Sequence, residues 1–395
     1  MKANNLTIDN LNSTKKRYPL ENIKIVDFSR VLSGPFCTML LGDLGAEVIK
    51  IEKPDIGDEN RNVRTYAGRT KEDEDYFYPM NRNKKSVEIN LKNSSEKEKV
   101  YNLIKEADVI VENFTPGTME KLQLDYSSVK EINEKIIYCS ISGFGQQGLY
   151  KDRKAYDSIV QAITGVMAIT GNPGESPLRS GLMFGDLTGS LYALSSILVS
   201  LYARERSGLG NHIDLSLADS LLSLYSTNAA EYLAVGNLPE RGGSENPGRS
   251  PTGNYLCSDG KFIQIMGGSD ILWPKFCEVV GILEFEYDDR FKTNEARILN
   301  RDELRKILTP IFLKHTSSYW VKKFNEHGVP SAPINTLADV LEDKHFIERN
   351  MELKLEHQKS GTIRAINNPF RFSSYNSYKL SPPPLLGQDN EELRK

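Results

Sequence analysis

The sequence predicts an α/β protein with a large Rossmann-like open-sheet domain and a smaller α+β domain. Strand and helix patterns alternate over residues 20–145, and apolar helix patterns follow over 155–235, as is typical of a parallel sheet flanked by helices. The 395 residues, of which 39% are hydrophobic, have the mass for more than one domain. The expected divisions are 20–235 for the first part of the large domain, 236–335 for the small domain with its linkers, and 336–395 for a segment that returns to the large domain.

The alternation begins with the apolar run IKIVDFS at residues 23–29, which is typical of a buried strand. EVIKIEKP at 47–54 predicts the second strand. Between them, FCTMLLGDLGA predicts a helix, and Pro35 suits its first turn. Residues 1–20 are rich in Asn and Lys and predict a loose leader.

Further strands and helices continue the pattern. Residues 55–80 are polar and charged and predict a surface excursion. KSVEINL at 85–91 alternates as a strand does, and SSEKEKVYNLIKEA at 94–107 has a helical apolar stripe after a capping residue. DVIVENF and the run at 136–145 predict two more strands, which completes the evidence for an open sheet.

Helix patterns dominate the middle of the chain, in YDSIVQAITGVMAIT, SLYALSSILVSLYARERSG and ADSLLSLYSTNAAEYLAVG, with the short strand NHIDLSLA before the last. The Gly-, Pro- and Asn-rich loop 237–251 predicts a boundary or a lid. Residues 253–267 predict a hairpin around Asp259-Gly260. Helices are expected at about 271–281, 295–314, 317–327 and 333–343, before an extended, proline-rich tail.

Composition excludes several classes of function. A net charge of −3 provides no global basic field for nucleic acid. The four cysteines form no CxxC pair, and the five histidines have no helical i, i+3 or i, i+4 spacing, so no metal centre is expected. No uninterrupted apolar stretch reaches about 18 residues and no signal-peptide core is present, so we expect no membrane partner and a reducing cytoplasm.

The chemistry is expected to depend on one carboxylate, because GxSxG and GxxxxGK[ST] motifs are absent. In GLMFGDLTGSLYALSSILVSLYA (181–203), Asp186 stands where an apolar helix begins. One interpretation is an N-terminal helix cap. The other is a nucleophile that the helix N-terminus keeps ionised and that forms a covalent acyl intermediate. These residues alone leave both interpretations open.

Seven motifs occur in a characteristic order: VLSGPFCTMLLGDLGAEVIKIEKPDIGDENR, VENFTPG, ISGFGQQG, YDSIVQAITG, GDLTGSLYA, GVPSAPINTLADVLED and PPPLLGQ. Through them the chain resembles the class III CoA-transferases, the family of formyl-CoA transferase and the carnitine CoA-transferase, over about residues 20–390. The resemblance implies a nucleotide-fold large domain built from both ends of the chain, a small domain, and an interlocked homodimer.

The resemblance also implies the catalytic residues. Asp186 would attack the thioester of an acyl-CoA, form a mixed anhydride and release CoA. CoA would then attack the aspartyl carbonyl, and a small carboxylic acid would take up the CoA through a second anhydride. Tyr156 would line the acyl site, and Asp157 would assist near it. Without the resemblance, Tyr156 and Asp157 are as well explained by the start of a helix as by a role at the acyl site. Acyl-CoA is then a substrate, and no tightly bound cofactor is expected.

Tyr156 discriminates between two reactions in this superfamily. The related α-methylacyl-CoA racemases have a histidine at this position, where it acts as an acid–base partner of the aspartate. A tyrosine with an ordinary pKa of about 10 is a poor second base for α-proton exchange. The sequence therefore favours CoA transfer over racemisation. A non-catalytic CoA-binding protein is the third alternative, and the intact Asp186 in its glycine-rich setting weighs against it.

The positions that correspond to CoA contacts in the resembled family are Val31, Leu32, Lys53, Ile89, Lys92, Asn113, Phe114, Lys121 and Lys154. Val31 and Leu32 would contact CoA through their backbone. Formyl-CoA transferases have a glutamine where this chain has Leu32, which argues against formyl-CoA as the substrate. Lys53 replaces an arginine and lacks its planar fork. Without the resemblance, each lysine is as well explained by a solvated surface charge as by a contact to CoA.

Two further segments are candidates for substrate contacts. Gly242-Gly243 lies where formyl-CoA transferase has four glycines that close over the aspartate, so a lid is one interpretation of this loop. Arg249 is a candidate for an acceptor carboxylate, and residues 58–68 are another candidate surface. Nothing in the sequence selects the donor or the acceptor acid.

Overall fold

The computed structural model describes residues 18–63, 74, 76–375 and 380–391. Most of the predicted leader, and residues 64–73 of the predicted excursion, lie outside the described residues. The chain divides into two compact units. Unit 1 contains the chain up to Thr164, Gly181–Ser226 and everything from His345 onward, and unit 2 contains Gly165–Ser180 and Thr227–Lys344.

A six-stranded sheet organises unit 1, and all of its strands are parallel. Its strands are β1 (Lys24–Asp27), β2 (Glu47–Glu52), β3 (Lys84–Glu88), β4 (Val109–Glu112), β5 (Ile137–Ser142) and β6 (Asn211–Ser216). Their order is β3-β2-β1-β4-β5-β6, with Val26 of β1 in register with Ile49 of β2 and Ile110 of β4. The direction of strand addition reverses between β1 and β4, which is the position where open α/β sheets bind ligands.

Helices cover this sheet and bury its apolar side chains. The helices of unit 1 before the crossing at Ser226 are α1 (Ser33–Asp43), α2 (Tyr78–Asn81), α3 (Ser94–Glu106), α4 (Thr118–Leu122), α5 (Tyr126–Lys130), α6 (Asp157–Ile163), α7 (Phe184–Ser207) and α8 (Leu217–Leu222). Val100 and Ile104 of α3 pack with Val26 and Ile110 of the sheet in one buried cluster. Burial of each such side chain contributes roughly 1.5–3 kcal/mol.

The C-terminal segment of unit 1 lies along the edge strand β3. Asp389 N donates to Ser86 O at 2.9 Å, and Ser86 N donates to Asp389 Oδ2 at 2.8 Å. Ser381 N donates to Asn83 Oδ1 at 2.7 Å. These bonds cover an edge whose backbone groups would otherwise remain unpaired.

Unit 2 contains a three-stranded antiparallel sheet of β7 (Thr252–Leu256), β8 (Phe262–Met266) and β9 (Ser331–Pro333). Its helices are α9 (Ser226–Val235, whose first residue belongs to unit 1), α10 (Trp273–Val280), α11 (Asn294–Leu299), α12 (Arg301–Phe312), α13 (Ser317–Glu326) and α14 (Leu337–Glu342). The core of unit 2 is aromatic. The rings of Trp273 and Phe324 both stack with the ring of Phe276, and their centroids lie 5.7 and 5.4 Å from its centroid.

Several predicted helices are shorter than their sequence patterns indicate. The pattern after residue 155 is interrupted at Gly165, whose φ of 81° is left-handed, and a 3₁₀ turn, Val166–Ile169, follows. The pattern after residue 217 is interrupted at Ser226, with φ 34° and ψ −109°. The predicted helix 295–314 is divided at Asn300 into α11 and α12. The chain passes between the two compact units after Ser226 and after Lys344, and the domain divisions after residues 235 and 335 stay a prediction.

The sequence analysis missed one hairpin. The segment after α15 (Lys344–Glu348) forms β10 (Glu352–His357) and β11 (Gly361–Ile366), which pair antiparallel. These residues precede the predicted proline-rich tail, which begins at residue 368, and the sequence analysis assigns no element to them. The strand β10, ELKLEH, does alternate: Glu352, Lys354 and Glu356 share one face, and Leu353, Leu355 and His357 share the other, on which Leu355 and His357 are buried.

The helix α7 is the one described helix long and apolar enough to cross a membrane, judged by length and composition alone. Half of its most apolar window is buried inside the protein, as is typical of the core helix of a globular domain. Gly189 permits its close packing on α8, since a Cβ there would lie 2.2 Å from Leu217 Cδ2.

Candidate active site

Asp186 lies inside the first turn of α7 and does not cap it. The helix begins at Phe184, and Met183 occupies the N-cap position. Of the two interpretations that the sequence left open for Asp186, the helix cap is therefore wrong. Its side chain is half-buried, and within the described part of the chain its carboxylate has neither a hydrogen bond nor an ion pair.

Asp157 supplies the cap that Asp186 does not. The buried Asp157 carboxylate accepts hydrogen bonds through Oδ1 from Gly185 N at 2.8 Å and from Asp186 N at 3.3 Å. Its Oδ2 accepts one from Gln161 Nε2 at 2.6 Å. A Cβ at position 185 would lie 3.2 Å from Asp157 Oδ1 and 3.1 Å from Val160 Cγ1, so glycine permits this close approach. Asp157 thus fixes the backbone that carries Asp186.

The environment of Asp186 favours its protonated form. Burial and, secondly, the negative charge of Asp157 raise the pKa of Asp186 to about 7. This corrects the expectation that the helix N-terminus keeps the group ionised, because desolvation and the like charge oppose the helix dipole. Near pH 7, about half of these carboxyl groups carry a proton.

Tyr156 precedes Asp157 and is the N-cap residue of α6. Its side chain is 74% exposed in the single chain. Its hydroxyl makes no hydrogen bond to any residue that the structure describes. The position beside an acyl site therefore stays a prediction for Tyr156, whereas Asp157 directly contacts the turn of Asp186.

The loop that contains Val31 and Leu32 lies where β1 ends, next to the end of β4. Asn113 joins the two: its Oδ1 accepts from Arg30 N at 2.8 Å, and its Nδ2 donates to Arg30 O at 2.7 Å. The Arg30 guanidinium lies 4.6 Å above the ring of Phe114. Leu32 occupies the N-cap position of α1 and provides no side-chain cap.

Ser190 connects this loop to the turn of Asp186. Its Oγ lies 2.7 Å from Ser33 O and 2.7 Å from Asp186 O. The hydroxyl group has one proton and donates it to one of these two carbonyls at a time. Through these contacts Ser190 links the starts of α1 and α7. The predicted nucleophile and part of the predicted CoA loop are therefore neighbours within unit 1.

The remaining predicted CoA positions differ in exposure. Ile89 is buried directly after β3, where its N–H donates to Glu52 O at 2.9 Å. Four of these positions are exposed lysines that have no ion-pair partner among the described residues. Lys53 follows β2, Lys92 follows β3, Lys121 lies in α4 and Lys154 precedes α6. Parallel strands bring the positions after β1 to β4 to one edge of the sheet. No described hydrogen bond connects Lys121 or Lys154 to the loop after β1.

Comparisons with known proteins identify the family of this chain. The family model described as CoA-transferase family III matches residues 20–390. The chain belongs to CoA-transferase family III.

Relatives in this family are similar over nearly the whole chain. The human protein named succinyl-CoA:glutarate CoA-transferase is 36% identical over 377 residues, which cover 95% of this chain and 85% of the human protein. The Acetobacter aceti protein named acetyl-CoA:oxalate CoA-transferase is 36% identical and covers 96% of both chains. A solved CAIB/BAIF family protein from Brucella suis has a TM-score of 0.87 and 36% identity, covering 96% of this chain and 99% of its own. This family member is a CoA-transferase.

Two of the other candidate segments belong to unit 2, and the third begins beside the loop after β1. Gly243 N donates to Gly171 O at 3.0 Å within unit 2, and Arg249 is exposed in the same unit; their suggested roles stay predictions. Asp58 and Asn60, from the candidate segment 58–68, are buried. Its residues from 64 onward lie outside the described residues. Within the described ranges, no cluster of His, Cys, Asp and Glu is suited to hold a metal ion.

Proposed function

We propose that this CoA-transferase moves CoA from an acyl-CoA donor to a carboxylic acid acceptor through covalent intermediates on Asp186. The observation that carries the proposal is the half-buried Asp186 carboxylate, which has no described hydrogen-bond partner while its backbone is held by Asp157. A carboxylate without such a partner keeps its oxygen lone pairs for attack on a carbonyl carbon.

The first half of the reaction transfers CoA to the enzyme. An ionised Asp186 oxygen attacks the thioester carbonyl, a C–O bond forms, the C–S bond breaks, and CoA leaves as the thiolate. The thiolate then attacks the Asp186 carbonyl carbon of the mixed anhydride. A new C–S bond forms, and the donor acid leaves as its carboxylate.

The second half repeats these steps with the acceptor. The acceptor carboxylate attacks the aspartyl thioester and releases the CoA thiolate, which leaves a second anhydride. The thiolate attacks the acceptor carbonyl, the new acyl-CoA forms, and the Asp186 carboxylate is regenerated. No oxidant and no net proton are needed, and the thioester energy is conserved.

CoA binding is assigned to the carboxyl edge of the sheet. The four unpaired lysines, at positions 53, 92, 121 and 154, supply positive charge for phosphates. The backbone of Val31 and Leu32 leads into the uncapped start of α1, and helix N-termini favour anions. The position at the β1–β4 reversal agrees with the general location of ligands in such sheets.

The acceptor is proposed to be a small dicarboxylic acid. Relatives are named for glutarate, oxalate, D-citramalate and mesaconate, and several are named for succinyl-CoA as the donor. Succinyl-CoA is therefore the first donor to test, against a panel of C2 to C5 dicarboxylates. Mass spectrometry of the CoA products identifies the accepted acid.

A homodimer and a cytoplasmic location are also proposed. On α7, Leu191, Val199 and Tyr202 expose 50%, 67% and 62% of their surface. Exposed apolar side chains spaced along one helix are typical of a protein–protein interface. A second copy of the chain is the proposed occupant, in agreement with the interlocked dimer that the family resemblance implies.

Trapping of the intermediate tests the mechanism. Incubation of the enzyme with succinyl-CoA, followed by hydroxylamine and peptide mass spectrometry, is expected to convert Asp186 into its hydroxamate. Asp186→Asn should give no modified peptide and lose at least about a thousandfold in kcat. Modification of a different residue would contradict the assignment. Deuterium entering the α-carbon of a branched acyl-CoA without any acceptor acid would favour the racemase alternative.

A further inference from the structure

In the loop after β1, side chains bind the backbone N–H and the backbone carbonyl of three consecutive residues, Ser29, Arg30 and Val31. Ser29 N donates to Asp27 Oδ1 at 2.9 Å, and Ser29 O accepts from Lys50 Nζ at 2.6 Å. Asn113 binds both backbone groups of Arg30 through its side-chain amide. No backbone–backbone hydrogen bond is therefore needed to satisfy this part of the loop.

Val31 completes the series and has an unfavourable conformation. Its N–H donates to Asp58 Oδ1 at 3.2 Å, and its carbonyl accepts from Asn60 Nδ2 at 2.6 Å. Its φ of 68° is left-handed, which is a strained region for a β-branched residue. Strain of this kind persists where the surrounding contacts over-determine it.

The groups that hold Val31 are themselves fixed in the interior. Asp58 pairs with Lys50 at 3.0 Å, and both side chains are almost completely buried. Asp58 Oδ1 also accepts from Asn60 N at 3.0 Å, so one carboxylate fixes Val31 and the amide residue that binds its carbonyl. Val31 itself is 38% exposed. The buried Lys50–Asp58 ion pair therefore supports the backbone conformation of Val31, which lies at the surface.

We infer that Lys50, Asp58 and Asn60 are positioning residues that keep the left-handed Val31 backbone ready for CoA. The inference rests on the proposed function, because it takes the loop after β1 to be the CoA-binding loop. Without the hydrogen bond from Asn60, Val31 relaxes to negative φ and its peptide groups rotate away from the position that binds CoA. The energy that holds the strained loop is supplied before CoA arrives, so binding does not have to supply it.

A double-mutant cycle tests this role in the full-length protein. Asn60→Ala removes the donor to Val31 O, and Val31→Gly removes the steric penalty of positive φ. Affinity for coenzyme A is measured by calorimetry for the wild type, both single variants and the double variant. Asn102→Ala is the matched control, since Asn102 is exposed on α3 and its Oδ1 accepts from Lys105 Nζ instead. Thermal unfolding is measured for each variant.

In the wild-type background, Asn60→Ala is expected to weaken CoA binding about tenfold. In the Val31→Gly background, the same change should cost about threefold or less, whatever the affinity of Val31→Gly itself. Asn102→Ala should bind CoA as the wild type does. If Asn60→Ala folds poorly, Asn60→Ser provides the same comparison without adding a charge, since its shorter side chain does not reach Val31 O.

An equal loss in both backgrounds would overturn the inference, because the effect would then not depend on the strain at Val31. Unchanged CoA affinity in Asn60→Ala would also overturn it. A wild-type protein that binds no CoA would refute the proposed function together with this inference. A wild type that binds CoA, with additive variants, refutes the positioning role alone.

Discussion

Asp157 caps the helix that carries Asp186. The bonds from Gly185 N and Asp186 N to Asp157 Oδ1, at 2.8 and 3.3 Å, join the first residue of α6 to the first turn of α7. Asp157 thereby has two opposing effects. It stabilises the position of the proposed nucleophile, and its negative charge contributes to the raised pKa of Asp186. The cap and the nucleophile are two different residues that act on the same helix start.

The first prediction is a rise in activity through neutral pH. Burial and the Asp157 charge raise the pKa of Asp186 to about 7, and only its ionised form attacks a thioester. We expect kcat/KM with succinyl-CoA to increase about tenfold per pH unit below 7 and to level off above it. A profile from pH 5.5 to 8.5 measures this. A flat profile would contradict the assignment of Asp186 as the titrating nucleophile.

The second prediction concerns Asp157→Asn. The amide oxygen still accepts the N–H groups of Gly185 and Asp186, whereas the negative charge is removed. Because that charge raises the pKa of Asp186, the ascending limb of the pH profile should move to lower pH. Asp157→Ala loses the cap as well and should lower the free energy of unfolding by about 1 kcal/mol more. An unchanged limb in Asp157→Asn would show that burial alone sets this pKa.

The sequence predicted the sheet better than the site. Strands β1 to β5 follow from short apolar runs that need no tertiary information, and the family motifs identify Asp186. The cap of α7 comes from Asp157, 29 residues before Asp186 and at the start of a different helix. Local pattern carries no signal for such a contact, so Asp186 itself looked like the cap.

Other features depend on tertiary structure in the same way. Ser226 interrupts a helical pattern without glycine or proline, at the point where the chain passes between the two units. The strain at Val31 is invisible in SRVLSGP, because only the buried Asp58 and Asn60 impose it. The resemblance indicated Val31 as a CoA contact but provided no reason for its conformation.

The third prediction is that Asp186→Asn stabilises the inactive protein at high pH. The pKa of Asp186 is about 7 in the folded protein, above the ordinary aspartate value of 3.8. Between these values the folded state binds the proton more tightly, so the contribution of Asp186 to stability falls as pH rises. At pH 8 the neutral Asn should raise the free energy of unfolding by on the order of 2 kcal/mol, and at pH 4 by almost nothing. Thermal unfolding at both pH values measures the difference, and an equal gain at each would refute it.

The fourth prediction concerns Lys53, which is exposed and unpaired directly after β2. Lys53→Ala should raise the KM for succinyl-CoA about three- to tenfold and leave kcat nearly unchanged, because a phosphate contact contributes equally to ground and transition states. The loss should shrink at high salt, where exposed charges are screened. Lys99→Ala, an exposed lysine of α3, is the control. Equal effects of the two variants would remove Lys53 from the CoA site.

The fifth prediction concerns the apolar face of α7. Val199 and Tyr202 expose 67% and 62% of their surface in the single chain, and the proposed homodimer buries them. Light scattering on the wild type should give about twice the chain mass of 44.5 kDa. Val199→Glu places a charge in that interface and should shift the population towards the monomer, since an unpaired buried charge is costly. Lys99→Glu introduces the same side chain on α3 and should leave the mass unchanged. A monomeric wild type, or equal behaviour of the two variants, would show that α7 does not form the dimer contact.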